Sequence, residues 1–141
     1  MITRKQRMIL SEIRQNSRQH VSEIAKKLNL PITTVHDNCR ALSKYIAGYT
    51  TLVDFAKLGY SLRVNFMFRI KNRRVLDEFV LKSFNVNSVS KVNNRSTLLV
   101  ECFFKSMSEA YAFKEKLQDE GVGRIDMRYI IEEIKKEGFS P

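Results

Sequence analysis

The stretch VSEIAKKLNLPITTVHDNCRALSK, residues 21–44, decides how the front of the chain folds. Its first eight residues set Val21, Ile24, Ala25 and Leu28 at the i, i+3, i+4, i+7 spacing of a buried helical stripe. Asn29 comes next, a residue type that tolerates the left-handed backbone of a tight turn, and Leu30 plugs that turn. Pro31 lacks a backbone donor and suits the entrance of a following helix. That helix is expected from about Ile32 to Lys44, with Val35, Cys39 and Leu42 on its buried face. Ala25 stands four residues before the turn residue and Val35 six after it, the spacing of a helix-turn-helix. The small Ala lets two helix backbones cross closely, and the apolar residue beyond closes the core beneath them. A generic three-helix bundle is the alternative, disfavoured because the turn spacing and a basic excess occur together.

Upstream, Thr3 with Gln6 three residues later forms a capping box for a first helix. Met8, Ile9, Ile13 and Ile2 make its apolar stripe, and Asn16 and Ser17 end it. Downstream the texture changes to β-branched and aromatic runs. Ala47 to Val53 reads as a strand in the place of a wing. From there the order is strand 62–70, helix 75–84, strand 86–92, turn 93–96, strand 97–104, helix 108–120 and strand 124–132. Ser106 and Glu109 cap the second of these helices and Gly121 terminates it. The fold class is therefore α+β: a (winged) helix-turn-helix over residues 1–46, a short wing or connector strand over 47–61, and a ferredoxin-like βαββαβ domain over 62–141.

Composition narrows the function classes. The 141 residues are 43% apolar and carry only five Gly and two Pro, which excludes a disordered or low-complexity chain. No apolar run approaches the ~20 residues of a membrane span, and no apolar stretch follows Arg4, Lys5 and Arg7 as a secretory leader requires. No membrane partner is expected, and the expected address is the cytoplasm, in association with the nucleoid. Cys39 and Cys102 are too few and too far apart for a disulfide framework and read as small buried apolar residues. The net charge of +10 attracts polyanions. Nine cations against three anions lie in residues 1–53, giving +6, and the remaining 88 residues carry +4. The front third is thus the expected polyanion contact.

If the third helix enters a major groove, Thr33, Thr34, His36, Asp37, Arg40 and Lys44 form its exposed face. Thr33 and Thr34 can bond phosphates at the positive end of the helix or touch a thymine methyl. Arg40 can fork onto guanine or clamp a phosphate. Asp37 can accept from a cytosine amine, orient Arg40, or simply be solvated. Lys44, Lys26, Lys27, Arg18 and Arg4 would add non-specific attraction, with surface solubilisation the alternative for each. His36 and Cys39 are three apart, but His20 falls on another helix and no fourth ligand has metal spacing. The rear half holds no histidine, no phosphate loop and no GxSxG. No enzyme, cofactor or metal is expected.

Taken together, Arg7 to Ile13, Ser22 to Leu30, Arg40 to Leu42, the segment IAGYTTL (Ile46 to Leu52) and Leu98–Leu99 resemble the Lrp/AsnC family of transcriptional regulators over nearly the whole chain. The resemblance implies a DNA-binding regulator dimerised through its rear domain, with assembly beyond the dimer left open. It also implies an effector site at a Gly-Asp-x-Asp hairpin turn. Here the aligned residues are Asn93, Asn94, Arg95 and Ser96, with no carboxylate to neutralise an ammonium group and a cation added. An ordinary amino acid is not expected to bind there in the usual way. The connector around Tyr45 is also about two residues shorter than the family's. Phe66, Phe68, Leu98, Val100, Phe103, Met127, Tyr129 and Ile131 exceed what one helix-covered sheet face takes, so strand alternation should turn part of this set outward as a dimer surface.

Double-stranded DNA and a second copy of the chain are the expected partners. The expected function is sequence-specific transcriptional regulation by a homodimer. A non-specific architectural protein of the same fold is the alternative. An RNA-binding sheet is disfavoured because TLLVECFF, residues 97–104, lacks the basic lead and the glycine of that motif.

Overall fold

Residues 1–139 are described by a computed structural model. They divide into two compact units, Met1–Leu52 joined by the residues from Lys135 onward, and Val53–Ile134. The segment 47–61 is split between the two units, and residues 135–139 group with the front.

The front unit holds α1 (Arg4–Gln15), α2 (Val21–Leu28) and α3 (Ile32–Leu42), followed by a 3-10 turn, Ser43–Tyr45. Local chemistry fixes the boundaries. Thr3 Oγ1 accepts from the Gln6 N–H at 3.2 Å while Gln6 Oε1 accepts from the Thr3 N–H at 2.9 Å, so the capping box is complete. Asn29 closes α2 at φ 51°, and the Leu30 N–H reaches back to the Ala25 carbonyl at 2.9 Å. Ile9, Ile24, Ala25, Val35 and Leu42 are the buried core, with Ile2, Leu10, Ile13, Val21, Leu28, Leu30 and Cys39 packed around it. Met8 is exposed instead of lining the stripe. The inward direction passes through Ile9, with Leu10 and Ile13 on its flanks.

The strand expected at Ala47 to Val53 is absent: residues 46–54 take no helical or paired conformation, and 47–54 are exposed. A strand exists only through its ladder partner, and none lies beside this stretch. The front unit is thus a helix-turn-helix whose wing position is an open connector.

The rear unit is a four-stranded antiparallel sheet in the order β2-β3-β1-β4, with β1 Leu62–Arg69, β2 Val86–Lys91, β3 Thr97–Phe104 and β4 Ile125–Ile130. This is the βαββαβ order, each helix crossing over to the strand beyond its neighbour. One crossover is α4, Met107–Asp119, capped by Ser106. The other, expected as an α-helix over 75–84, is wound wider, as a π-helix over Val75–Val80.

Both crossovers pack on one sheet face. There Val64, Phe66, Phe68, Leu98, Val100, Cys102 and Phe104 meet Val75, Leu76, Val80, Ala110, Phe113 and Leu117. Register overturns the expected apolar outer face. Phe66 and Phe68 lie opposite Met127 and Ile125, and Val64 opposite Tyr129, so all these side chains belong to the helix-covered side. Of the set of which part was expected to turn outward, Phe103 is the member that does so within the strands. Ile131 lies beyond β4 and is exposed.

The outer face is mixed in character: Arg63, Asn65, Met67 and Arg69 on β1 stand beside Phe103, Glu101, Leu99 and Thr97 on β3. Arg63 donates through Nε to Glu101 at 2.6 Å and also pairs with Glu133. Asn87 Nδ2 donates to the other Glu101 oxygen at 2.6 Å. Glu101 is therefore the centre of a cross-strand polar net.

Candidate nucleic-acid interface

The exposed face of α3 follows from its buried one. With Val35 and Leu42 fully enclosed, the 100° step of the helix turns Thr33, His36, Asp37 and Arg40 toward solvent, and all four are exposed. Thr34 is half-buried, and its carbonyl accepts from Asn38 Nδ2 at 2.7 Å. Pro31 precedes the helix with no side chain capping it. The first-turn N–H groups, beside Thr33 and Thr34, are therefore open to an anion.

His36 Nδ1 lies 3.6 Å from Asp37 Oδ1, both side chains more than 60% exposed. An exposed pair of this kind contributes little to stability. Asp37 thus carries its charge beside His36 rather than orienting Arg40. The Arg40 guanidinium has no ion-pair partner among the described residues. Lys44 falls in the 3-10 turn after α3, its Nζ 5.1 Å from the centre of the Tyr45 ring. Tyr45, half-exposed beside the recognition face, went unnoticed in the sequence because a lone tyrosine past a helix end carries no pattern.

The outlying cations separate into two groups. Arg4, Arg18 and Lys26 are exposed without an acidic partner among the described residues. Lys27 is committed: its Nζ donates to Glu12 Oε2 at 3.1 Å and to Gln19 Oε1 at 2.7 Å, tying α2 to α1. Its charge is therefore partnered, unlike those of Arg4, Arg18 and Lys26. Arg14 is likewise held, by the Glu137 carboxylate and carbonyl. Burial pushes the Cys39 thiol above its ordinary pKa, which favours the protonated form over a metal-binding thiolate.

At the rear, the 93–96 hairpin turn is braced by its own hydrogen bonds. Asn93 adopts φ 61°. Asn94 Oδ1 accepts from the Ser96 N–H, the Ser96 hydroxyl and the Thr97 N–H, at 2.8–2.9 Å. Ser96 Oγ accepts from Arg69 Nε at 3.0 Å. Arg95 alone of the four projects an unengaged charge.

Comparison with known proteins agrees with this geometry. Residues 2–45 match the family model described as winged helix-turn-helix DNA-binding. An uncharacterised HTH-type transcriptional regulator of Pyrococcus furiosus is 26% identical over 136 residues, 93% of this chain and 92% of its own. The regulator LrpA of Pyrococcus horikoshii is 39% identical over 64 residues, 44% of this chain and 45% of its own. The solved structure of E. coli AsnC superposes with a TM-score of 0.80 at 16% identity, covering 100% of this chain and 99% of that one. The front of the chain thus carries a helix-turn-helix DNA-binding domain, and the whole chain is similar to HTH-type transcriptional regulators and shares the fold of AsnC. A DNA-binding regulator of this type is not an enzyme, and among the described residues no helix is long and apolar enough to cross a membrane.

Proposed function

We propose that this Lrp/AsnC-type protein is a sequence-specific regulator acting as a homodimer, with α3 laid in the major groove of duplex DNA. The observation that carries the reading is the split character of α3. One face closes the front core through Val35 and Leu42. The other offers Thr33, His36, Asp37 and an unpaired Arg40 to solvent. Arg40 then reads guanine or clamps a phosphate, Asp37 accepts from a cytosine amine, and Thr33 and Thr34 bond phosphate at the uncapped helix start. Lys44, Arg18, Lys26 and Arg4 supply attraction that does not depend on sequence.

Dimerisation rests on the family resemblance and on the outer sheet face, which neither crossover helix covers. Met67 and Leu99 stand side by side there between polar neighbours, a smaller apolar centre than the sequence led us to expect. Two copies related by a two-fold axis would present two α3 helices to half-sites one helical turn, ~34 Å, or a multiple apart. The 93–96 turn offers an amino acid no carboxylate, so any effector acting there would lack a free ammonium group.

Competition binding at several salt concentrations tests specificity. A regulator prefers its own site by ~10³ or more over bulk DNA; an architectural coat shows no such preference, and that result would replace this reading with the alternative. Arg40→Ala with Lys44→Ala should lower the salt slope of binding by about one to two units without changing the sedimentation mass. Met67→Glu should shift the mass toward monomer, and an unchanged mass would place the dimer contact elsewhere.

A further inference from the structure

The rear unit has a charge asymmetry of its own. Within residues 53–134 there are fourteen Lys and Arg and eleven Asp and Glu. Strand register gathers the excess at one end of the sheet. Arg69 ends β1 opposite Thr97, Lys91 ends β2 opposite Leu98, and Ile125, which starts β4, faces Phe68. Arg95 sits in the β2–β3 turn, Arg124 immediately before β4, and Lys71 just past β1, where the Ile70 N–H bonds the Ser96 carbonyl at 2.8 Å. Arg69, Lys71, Lys91, Arg95 and Arg124 are all exposed, and none has an acidic partner among the described residues.

The acids nearest along the chain are already taken. Arg73 pairs with Asp77 at 3.1 Å, Arg74 with Glu78 at 2.8 Å, and Arg128 with Asp126 at 2.8 Å. Outside this end and the two pairs that follow it, the unit carries seven cations and nine anions. Its positive excess is thus a property of one edge.

The shape of this edge selects the ligand. Two concave regions of the unit are lined by Phe79, Phe84, Phe104 and Phe113, and by Phe55, Tyr60 and Phe103, and none of these five cations borders either. The five cations stand exposed on the surface rather than around one of these hollows. A row of cations across four strands about 4.8 Å apart spans ~14 Å. Charges recur every ~3.4 Å along one strand of duplex DNA, so the row matches the length of about four phosphates. We propose that this sheet end is a second, sequence-independent contact for the phosphate backbone of duplex DNA, a function carried by the rear unit. The inference rests on the reading of the chain as a duplex-binding regulator.

The test compares two variants of the full chain, Lys71→Ala with Arg95→Ala and Arg40→Ala with Lys44→Ala, on a long mixed-sequence duplex over a range of salt. Contact at the sheet end lowers the salt slope of the first variant by about two units and weakens site-bearing and mixed duplexes by the same factor. A first variant with an unchanged slope, set against a second with a lowered one, overturns this inference and leaves the α3 reading standing. The reverse pattern overturns the α3 reading and keeps the sheet end. If neither slope moves, both fail. Amine acetylation of the unaltered chain gives a readout free of any folding defect. Bound duplex should shield Lys71 and Lys91 but leave Lys82 reactive, and equal labelling of all three with and without duplex also overturns the proposal.

Discussion

The front unit is closed by five buried side chains, one of them the small Ala25, the rear unit by fifteen, several of them aromatic. In the rear, the Phe113 ring alone lies 5.2–5.7 Å from the rings of Phe66, Phe79 and Phe104. Apolar burial scales with area, so the sheet has reserve and the helix-turn-helix has almost none. The contrast suits a division of labour. A thin core keeps α3 near the surface with one face free, and a thick core keeps a sheet rigid beneath whatever it docks against.

The sharpest way to break that contrast is to remove equivalent core groups. Leu42→Ala should cost ~2–5 kcal/mol and Phe66→Ala ~3–5 kcal/mol. The consequences should differ more than the energies. Loss of Leu42 removes one of the front unit's five anchors, so amide-exchange protection of α1–α3 and duplex binding should disappear together while the sheet stays protected. Loss of Phe66 should raise exchange throughout the sheet yet leave it folded at 25 °C. A Leu42→Ala protein that binds duplex normally would show that the front core does not hold the recognition surface.

The same contrast explains what could be read in advance. Features encoded by neighbours in sequence were legible: the Thr3–Gln6 box, the α2 bounds with Asn29 behind them, the Ser106 cap, and all four rear strands to within two residues. Features decided by partners distant in sequence were not. Ala47 to Val53 has strand composition but nothing to pair with. The side chains assigned to an outer apolar face have the right alternation, but only register against β1 fixes which side is inward. Lys27 looks like any surface lysine until Glu12 and Gln19, eight and more residues away, are brought against it. The α3 face was legible because one buried stripe defines its opposite. The cationic sheet end was not, because its five residues come from three separate stretches of chain.

A smaller effect compares two turns. Asn29 in the front and Asn93 in the rear both hold left-handed backbone, at φ 51° and φ 61°. For a residue with a Cβ and no polar side chain this conformation costs ~1–2 kcal/mol. Asn29→Ala and Asn93→Ala should each lose about that amount, and the glycine variants should recover most of it. In the thin front unit the loss should show as a lower melting temperature and weaker duplex binding. In the rear it should be confined to the hairpin, whose other bonds run through Asn94. Equal effects on DNA binding from both turns would mean that the two units do not melt separately.

The smallest effect concerns the two thiols. Burial pushes Cys102 up to about 12, with the Glu101 charge adding to it, and raises Cys39 from its ordinary value. Cys102 is fully enclosed in the sheet core, whereas Cys39 is half-buried on α3. At pH 9 a pKa near 12 leaves about one thiolate in a thousand, so iodoacetamide should modify Cys39 far faster than Cys102 in the folded chain and both alike in denaturant. The sign of the linkage follows. Folded Cys102 holds its proton while the unfolded thiol loses it, so its contribution to stability is full below pH 9 and is lost as pH rises toward 12. Cys102→Ala should therefore flatten the fall in rear-unit stability over that interval, while Cys39→Ala, at the edge of the thin core, should change it less. Modification of Cys102 at the rate of Cys39 would mean that the sheet core opens as readily as the helices do, and the contrast between the two units would then collapse.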